Sequence, residues 1–165
     1  MPMIVKELDQ SNFIPCPEGF WNAVCVDVID IGLVKTQWGE KHKLRICWET
    51  EQRMPDTHKP FLVNNMYSMS LDSRSELRKM LENWRAAKLT PEELKNGFDL
   101  DRLLGVPCQV QVVQSEKDGK IFANVKMVAP LSKDMKPLKA SGQYVRVQDR
   151  TEGNEHHDDN DTPTF

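Results

Sequence analysis

The sequence predicts a mainly β domain of five antiparallel strands with a helical segment inserted between the third and the fourth. Three observations carry this: apolar residues alternate with period two in separate runs, the period becomes helical over residues 77–84, and Asp118-Gly119 supplies a hairpin signal between the last two runs. At 165 residues the chain is long enough to bury a core in one ordinary domain and still carry a tail.

From Phe20 to Leu33, Val24, Val26 and Val28 fall on one face and Ala23, Cys25 and Asp27 on the other, with Gly32 marking a bulge or bend. Gly39 supplies the turn into a second strand, in which Leu44, Ile46 and Trp48 point inward and Lys43, Arg45, Cys47 and Glu49 outward. A polar loop broken by Pro55 and Pro60 leads to a third strand with Phe61, Val63, Tyr67 and Met69 on one side. Leu77, Leu81 and Trp84, with Met80 alongside, make the stripe of an amphipathic helix, for which Asp72 or Ser73 is the expected cap. Thr90, Pro91 and Gly97 bracket a second short helix, and one further turn is expected in FDLDRLLG. Two strands then flank the Asp118-Gly119 turn, and Pro130 ends the pattern.

Strand, strand, strand, helix, strand, strand is an order that other small barrels share, but it is that of the OB-fold. That fold is a partly open five-stranded Greek-key barrel whose second and third strands and neighbouring loops bind oligonucleotides or oligosaccharides. The expected domain is 1–131. Residues 132–165 are expected to be a disordered linker and acidic tail, with only a brief apolar hint at Tyr144 and Val145.

Residues 151–165 carry five carboxylates and no Lys or Arg, and they end on Phe165. Net charge is −3, but residues 1–150 hold 22 basic against 20 acidic residues, so an acidic tail hangs from a mildly basic body. That body is too weakly charged for duplex binding by charge alone; nucleic-acid contact must be focused on one face. Cys16, Cys25, Cys47 and Cys108 are scattered without zinc spacing and read as reduced core thiols. With no apolar leader and no run long enough to span a bilayer, the expected location is the cytoplasm.

Catalysis is not expected. His42 and His58 lie in or beside loops, no nucleophile elbow, zincin motif or Walker loop is present, and the His156-His157-Asp158-Asp159 run has no preorganised geometry for a metal. No cofactor or metal is expected. A metal-dependent hydrolase is the least favoured reading.

The candidate binding surface is the first hairpin, where Lys35, Lys41, Lys43 and Arg45 surround Trp38. Single-strand binders need that mixture, because bases stack on aromatic faces while cations neutralise phosphates. Tyr67 is a second stacking candidate, and Phe122, beside Lys117 and Lys120, a third. Each has a plain structural alternative. Trp38 can pack over the barrel mouth, hairpin lysines keep an edge soluble, Tyr67 can be core, and Phe122 can cover a barrel end. Trp48 and Trp84 read as core anchors, and the basic residues of the helix as a solvated face.

The runs GFWNAVCVDVIDIGLVKTQWGEKHKLRICWE, YSMSLDSRSELRKMLENWR, EELKNGFDLDRLLGVPCQVQVV and EKDGKIFANVKMVAPL resemble a family of small bacteriophage and prophage proteins, generally taken to be OB-fold single-stranded DNA-binding proteins of replication or recombination modules. The resemblance spans roughly residues 13–131. The tail is similar to the acidic, Phe-ended segment of bacterial and phage single-strand-binding proteins, matching in kind at Asp158, Asp159, Asp161, Pro163 and Phe165, whereas Thr162 and Thr164 depart from the more apolar bacterial tip. The resemblance implies a protein that coats single-stranded DNA with little sequence preference and recruits replication or recombination proteins through its tail in a bacterial host's cytoplasm. An OB-fold adaptor that binds a recombinase or host factor without touching DNA is the alternative. Preference between DNA and RNA, nucleotides covered and homo-oligomer formation stay open.

Overall fold

The computed structural model describes residues 14–150. The fold is mainly β: strands β1 (Gly19–Thr36), β2 (Gly39–Arg53), β3 (Pro60–Ser68), β4 (Pro107–Lys117) and β5 (Lys120–Ala129), with helices α1 (Glu76–Arg85) and α2 (Pro91–Asn96) between β3 and β4. A 3₁₀ turn, Leu100–Leu103, follows α2 in the stretch expected to make one. All ladders are antiparallel and the order is β3-β2-β1-β4-β5. The sheet is not closed. β3 and β5 share no ladder, although Asn65 Nδ2 donates to the Val125 carbonyl at 3.1 Å across the gap between them.

The inner face carries the core. Ala23, Cys25, Leu44, Ile46, Trp48, Val63, Tyr67, Val110, Val112 and Val125 bury there against Leu77, Met80, Leu81 and Trp84 of α1. The expected inward sets of β2 and α1 and both tryptophan anchors are borne out; Trp48 and Trp84 lie 6.1 Å apart at 55°. The indole of Trp84 donates to the Pro107 carbonyl at 3.1 Å, which ties α1 to the start of β4. Burying side chains of this size contributes about 1.5–3 kcal/mol each.

Local chemistry fixes the helix ends. Ser75, rather than Asp72 or Ser73, caps α1 by accepting from the Arg78 amide, while Asp72 accepts from the Arg74 amide in the preceding turn. Thr90 and Glu93 form a reciprocal capping box on α2, with Pro91 in its first turn. Arg85 grips Glu93 through both nitrogens at 2.8 and 2.9 Å, joining the two helices.

β1 departs from simple alternation. A bulge between Cys25 and Asp27 reverses its phase, so that Asp27 pairs with Cys47 on the outer face and Val28 with Ile46 on the inner face, opposite to the expected sides. A second irregularity falls between Asp30 and Gly32, where a bend was expected.

The packed chain also runs past residue 131, where the sequence placed the domain boundary. Residues 132–150 form a strap over the outer face of β1 and β2. Leu138 and Tyr144 pack on Val24, Val26 and Cys47. Asn22 donates to the Lys136 carbonyl, Ser141 donates to Glu49 through its amide (2.8 Å) and its hydroxyl (3.0 Å), and buried Asp27 accepts from Tyr144 (2.7 Å), Arg146 (3.1 Å) and the Val147 amide (3.0 Å). Low apolar content hid this strap from periodicity, because carboxylates 92 to 120 positions away in sequence anchor it.

Burial raises the Asp27 carboxyl, but hydrogen bonds from Tyr144, Val147 and Arg146 outweigh that and hold it below the usual range. Its contribution is therefore complete above the unfolded value of about 3.9 and disappears as pH falls through the lower folded value. Asp27→Ala is expected to cost roughly 1.5–3 kcal/mol, measured by denaturant unfolding, and to deprotect the Val147 amide in hydrogen exchange. Arg85 and the Thr90 amide hold Glu93 at about 2, so the α1–α2 joint should loosen between about pH 4 and pH 2. Amide exchange in Pro91–Asn96 is the check, and Glu93→Gln should show the loosened behaviour already at neutral pH.

Candidate nucleic-acid interface

The register of β1 and β2 decides which of the expected binding residues share a surface. Lys41, Lys43 and Arg45 alternate along β2 on its outer face, at spacings of about 6.6–6.8 Å, opposite Val34, Gly32 and Ile29. Lys43 donates to Ser68 Oγ at 2.8 Å, and Arg45 Nε is buried without a hydrogen-bond partner among the described residues. Lys35 stands apart from this trio. It pairs with Glu40 on the other face.

Trp38 sits in the turn between the strands with 79% of its surface exposed, its amide donating to Thr36 Oγ1 at 3.2 Å. It does not fold back over the sheet. Of the three stacking candidates it offers the largest free ring surface.

Tyr67 is not available for stacking. It is 6% exposed and lies opposite Leu44 on the inner face, because the partner of an inward residue must also point inward. Burial pushes its phenol up to about 12.

The β4–β5 turn brings a separate set together. Asp118 (φ 52°) and Gly119 (φ 78°) both adopt positive φ, as a two-residue hairpin of this twist requires. Lys117 then pairs with Lys120 and Ser115 with Phe122, so both lysines and the ring share one face, and Phe122 is 42% exposed. Asn124 donates to Ser115 Oγ at 3.1 Å beside them.

The nine residues therefore do not line one groove. β4 pairs with the start of β1, Gly19 to Val24, and its hairpin runs beyond that end, whereas Trp38 lies past the other end of β1. The sequence reading also missed exposed outer-face residues that complete these surfaces: Phe20 (57% exposed), Met66 and Met127. Phe20 has the same parity as Val24, which was a usable signal; Met66 and Met127 look like core residues until register assigns their face.

A cleft of about 370 Å3 opens between β3, β5 and α1, lined among others by Met66, Lys79, Asn83, Lys126 and Met127. Among the described residues no group of three or more His, Cys, Asp or Glu is gathered to hold a metal ion, and no helix is long and apolar enough to cross a membrane. All four cysteines are unbridged and buried, and burial raises the thiols of Cys16 and Cys47 to about 11. The expected partner-binding residues Asp158, Asp159, Asp161 and Phe165 lie outside the described residues. No family model and no curated protein matches the chain.

Gly119 has open space around a would-be Cβ, so its constraint is purely conformational. Gly119→Ala is expected to cost about 1–2 kcal/mol in denaturant unfolding and to shift the backbone resonances of Lys117 to Phe122.

Proposed function

We propose that this chain binds single-stranded DNA with little sequence preference, as part of a phage replication or recombination system, and recruits partner proteins through its acidic tail. In this reading the open five-stranded sheet is an OB-type barrel parted between β3 and β5. Its strand order, the bond from Asn65 to Val125 and the position of α1 beside both strands support that assignment.

One observation carries the functional reading: Trp38 stands exposed at the tip of a hairpin whose outer face holds Lys41, Lys43 and Arg45, none in an ion pair among the described residues. An exposed indole offers a face on which a base can stack, and regularly spaced cations beside it suit a flexible polyanion with free base faces. Phe122 with Lys117 and Lys120 repeats the combination on the second hairpin. Tyr67 and Lys35 drop out of the contact set.

Trp38→Ala is expected to weaken binding to oligo-dT by roughly 1–3 kcal/mol, and Arg45→Ala should weaken it and flatten its salt dependence, both read by fluorescence titration at two salt concentrations. Duplex DNA should bind much more weakly. A chain that ignores oligonucleotides at low salt would instead be the protein-binding adaptor. Deleting residues 151–165 should tighten DNA binding at low salt and abolish partner recruitment.

A further inference from the structure

On the single-strand-binding reading, a bound strand has to cross the sheet somewhere, and the stretch of the outer face around Val24, Asp27, Cys47 and Glu49 is closed to it. The strap already covers that face. Beneath and beside the strap lie Asp27, Glu49 and Glu51, so lifting it would present carboxylates to phosphates. Uncovered, this stretch would repel a polyanion, and covered, it offers no sheet surface to one.

A different path is open. Across the sheet, register aligns Arg45 with Met66 on β3, and on the far strands Met127 with Gln111 and then with Phe20. Met66 and Met127 line the same cleft, so the two rows meet at the gap between β3 and β5. Met66, Met127 and Phe20 are 42%, 47% and 57% exposed, which leaves an apolar outer-face track with a break at its centre. Lys126 and Asn83 line that break with no side-chain hydrogen bond or ion pair among the described residues, and Lys79 shares its charge with Glu76 at 3.3 Å.

We infer that the cleft between β3, β5 and α1 is a binding site for one unpaired nucleotide of the strand, its base between the thioethers of Met66 and Met127 and its phosphate on Lys126 and Lys79. The volume of about 370 Å3 is at the small end of ligand sites, which run roughly from 300 to 1,000 Å3. It suits a single nucleotide rather than a stacked run. Thioethers are polarisable and rotate freely, so they accept any base face, which fits binding without sequence preference. The Asn65 carboxamide is already committed, to the Val125 carbonyl and the Met66 amide, and stiffens the floor of the site.

The test uses the full chain with ¹³C-methyl-labelled methionine, titrated with oligo-dT while tryptophan emission is followed in parallel. The Met66 and Met127 methyl signals should move upfield under the ring current of the base, while Met54, in the β2–β3 loop, stays in place. Lys79→Glu combined with Lys126→Glu, two exposed changes away from the core, should weaken oligo-dT binding at least about tenfold and lower the salt slope by about 2. If tryptophan emission reports binding but both methyls stay still and the double variant binds as the parent does, the site is wrong and the single-strand reading survives. If the oligonucleotide changes neither signal at low salt, both fall together.

Discussion

The bulge in β1 between Cys25 and Asp27 sets what each face of the molecule can do. By inserting one residue it keeps the inner face apolar on both sides, Ala23 and Cys25 before it and Val28 after it, while turning Asp27 outward. A carboxylate in the middle of a sheet face must find donors or remain wet. Here the donors come from Tyr144, Arg146 and Val147, and the strap is the result. β1 also pairs with β2 over much of its length and with β4 at its start, so its local geometry reaches both halves of the sheet.

Closing one face determines where a partner can be met. With the stretch of β1 and β2 around Asp27 and Glu49 under the strap, exposed large side chains remain at the two hairpin tips, at Phe20 and along the outer edges of β3 and β5. Cations accompany them in each place: Lys41 and Lys43 near Trp38, Lys117 and Lys120 near Phe122, and Lys126 near Met127. A body with a balance of only +2 cannot attract a polyanion through its overall field, so this local pairing of rings or thioethers with lysines is what makes a nucleic-acid partner physically reasonable.

The open edges of β3 and β5 fit the same picture. A sheet edge left unpaired is a hazard unless something covers or interrupts it. Asn65 bridges the gap at one point and α1 lies against it, which leaves a narrow cleft rather than a long free edge. Such an opening admits a small group and resists addition of another strand.

Much of this architecture was legible in the residues themselves. Alternation identified the strands, the Leu77, Leu81 and Trp84 stripe identified α1, and Asp118-Gly119 fixed the last hairpin, because each of these signals acts within a few residues of chain. The sequence also determined the aromatic and basic character of the first hairpin tip. What only the tertiary structure decided were matters of register and distance: the reversed phase after Val26, the burial of Tyr67 opposite Leu44, the separation of Lys35 from the other cations, and the strap held by Asp27 and Glu49. One inserted residue exchanges the faces of a strand, and a carboxylate can hold a segment more than a hundred positions away. Neither effect leaves a periodic trace in the chain.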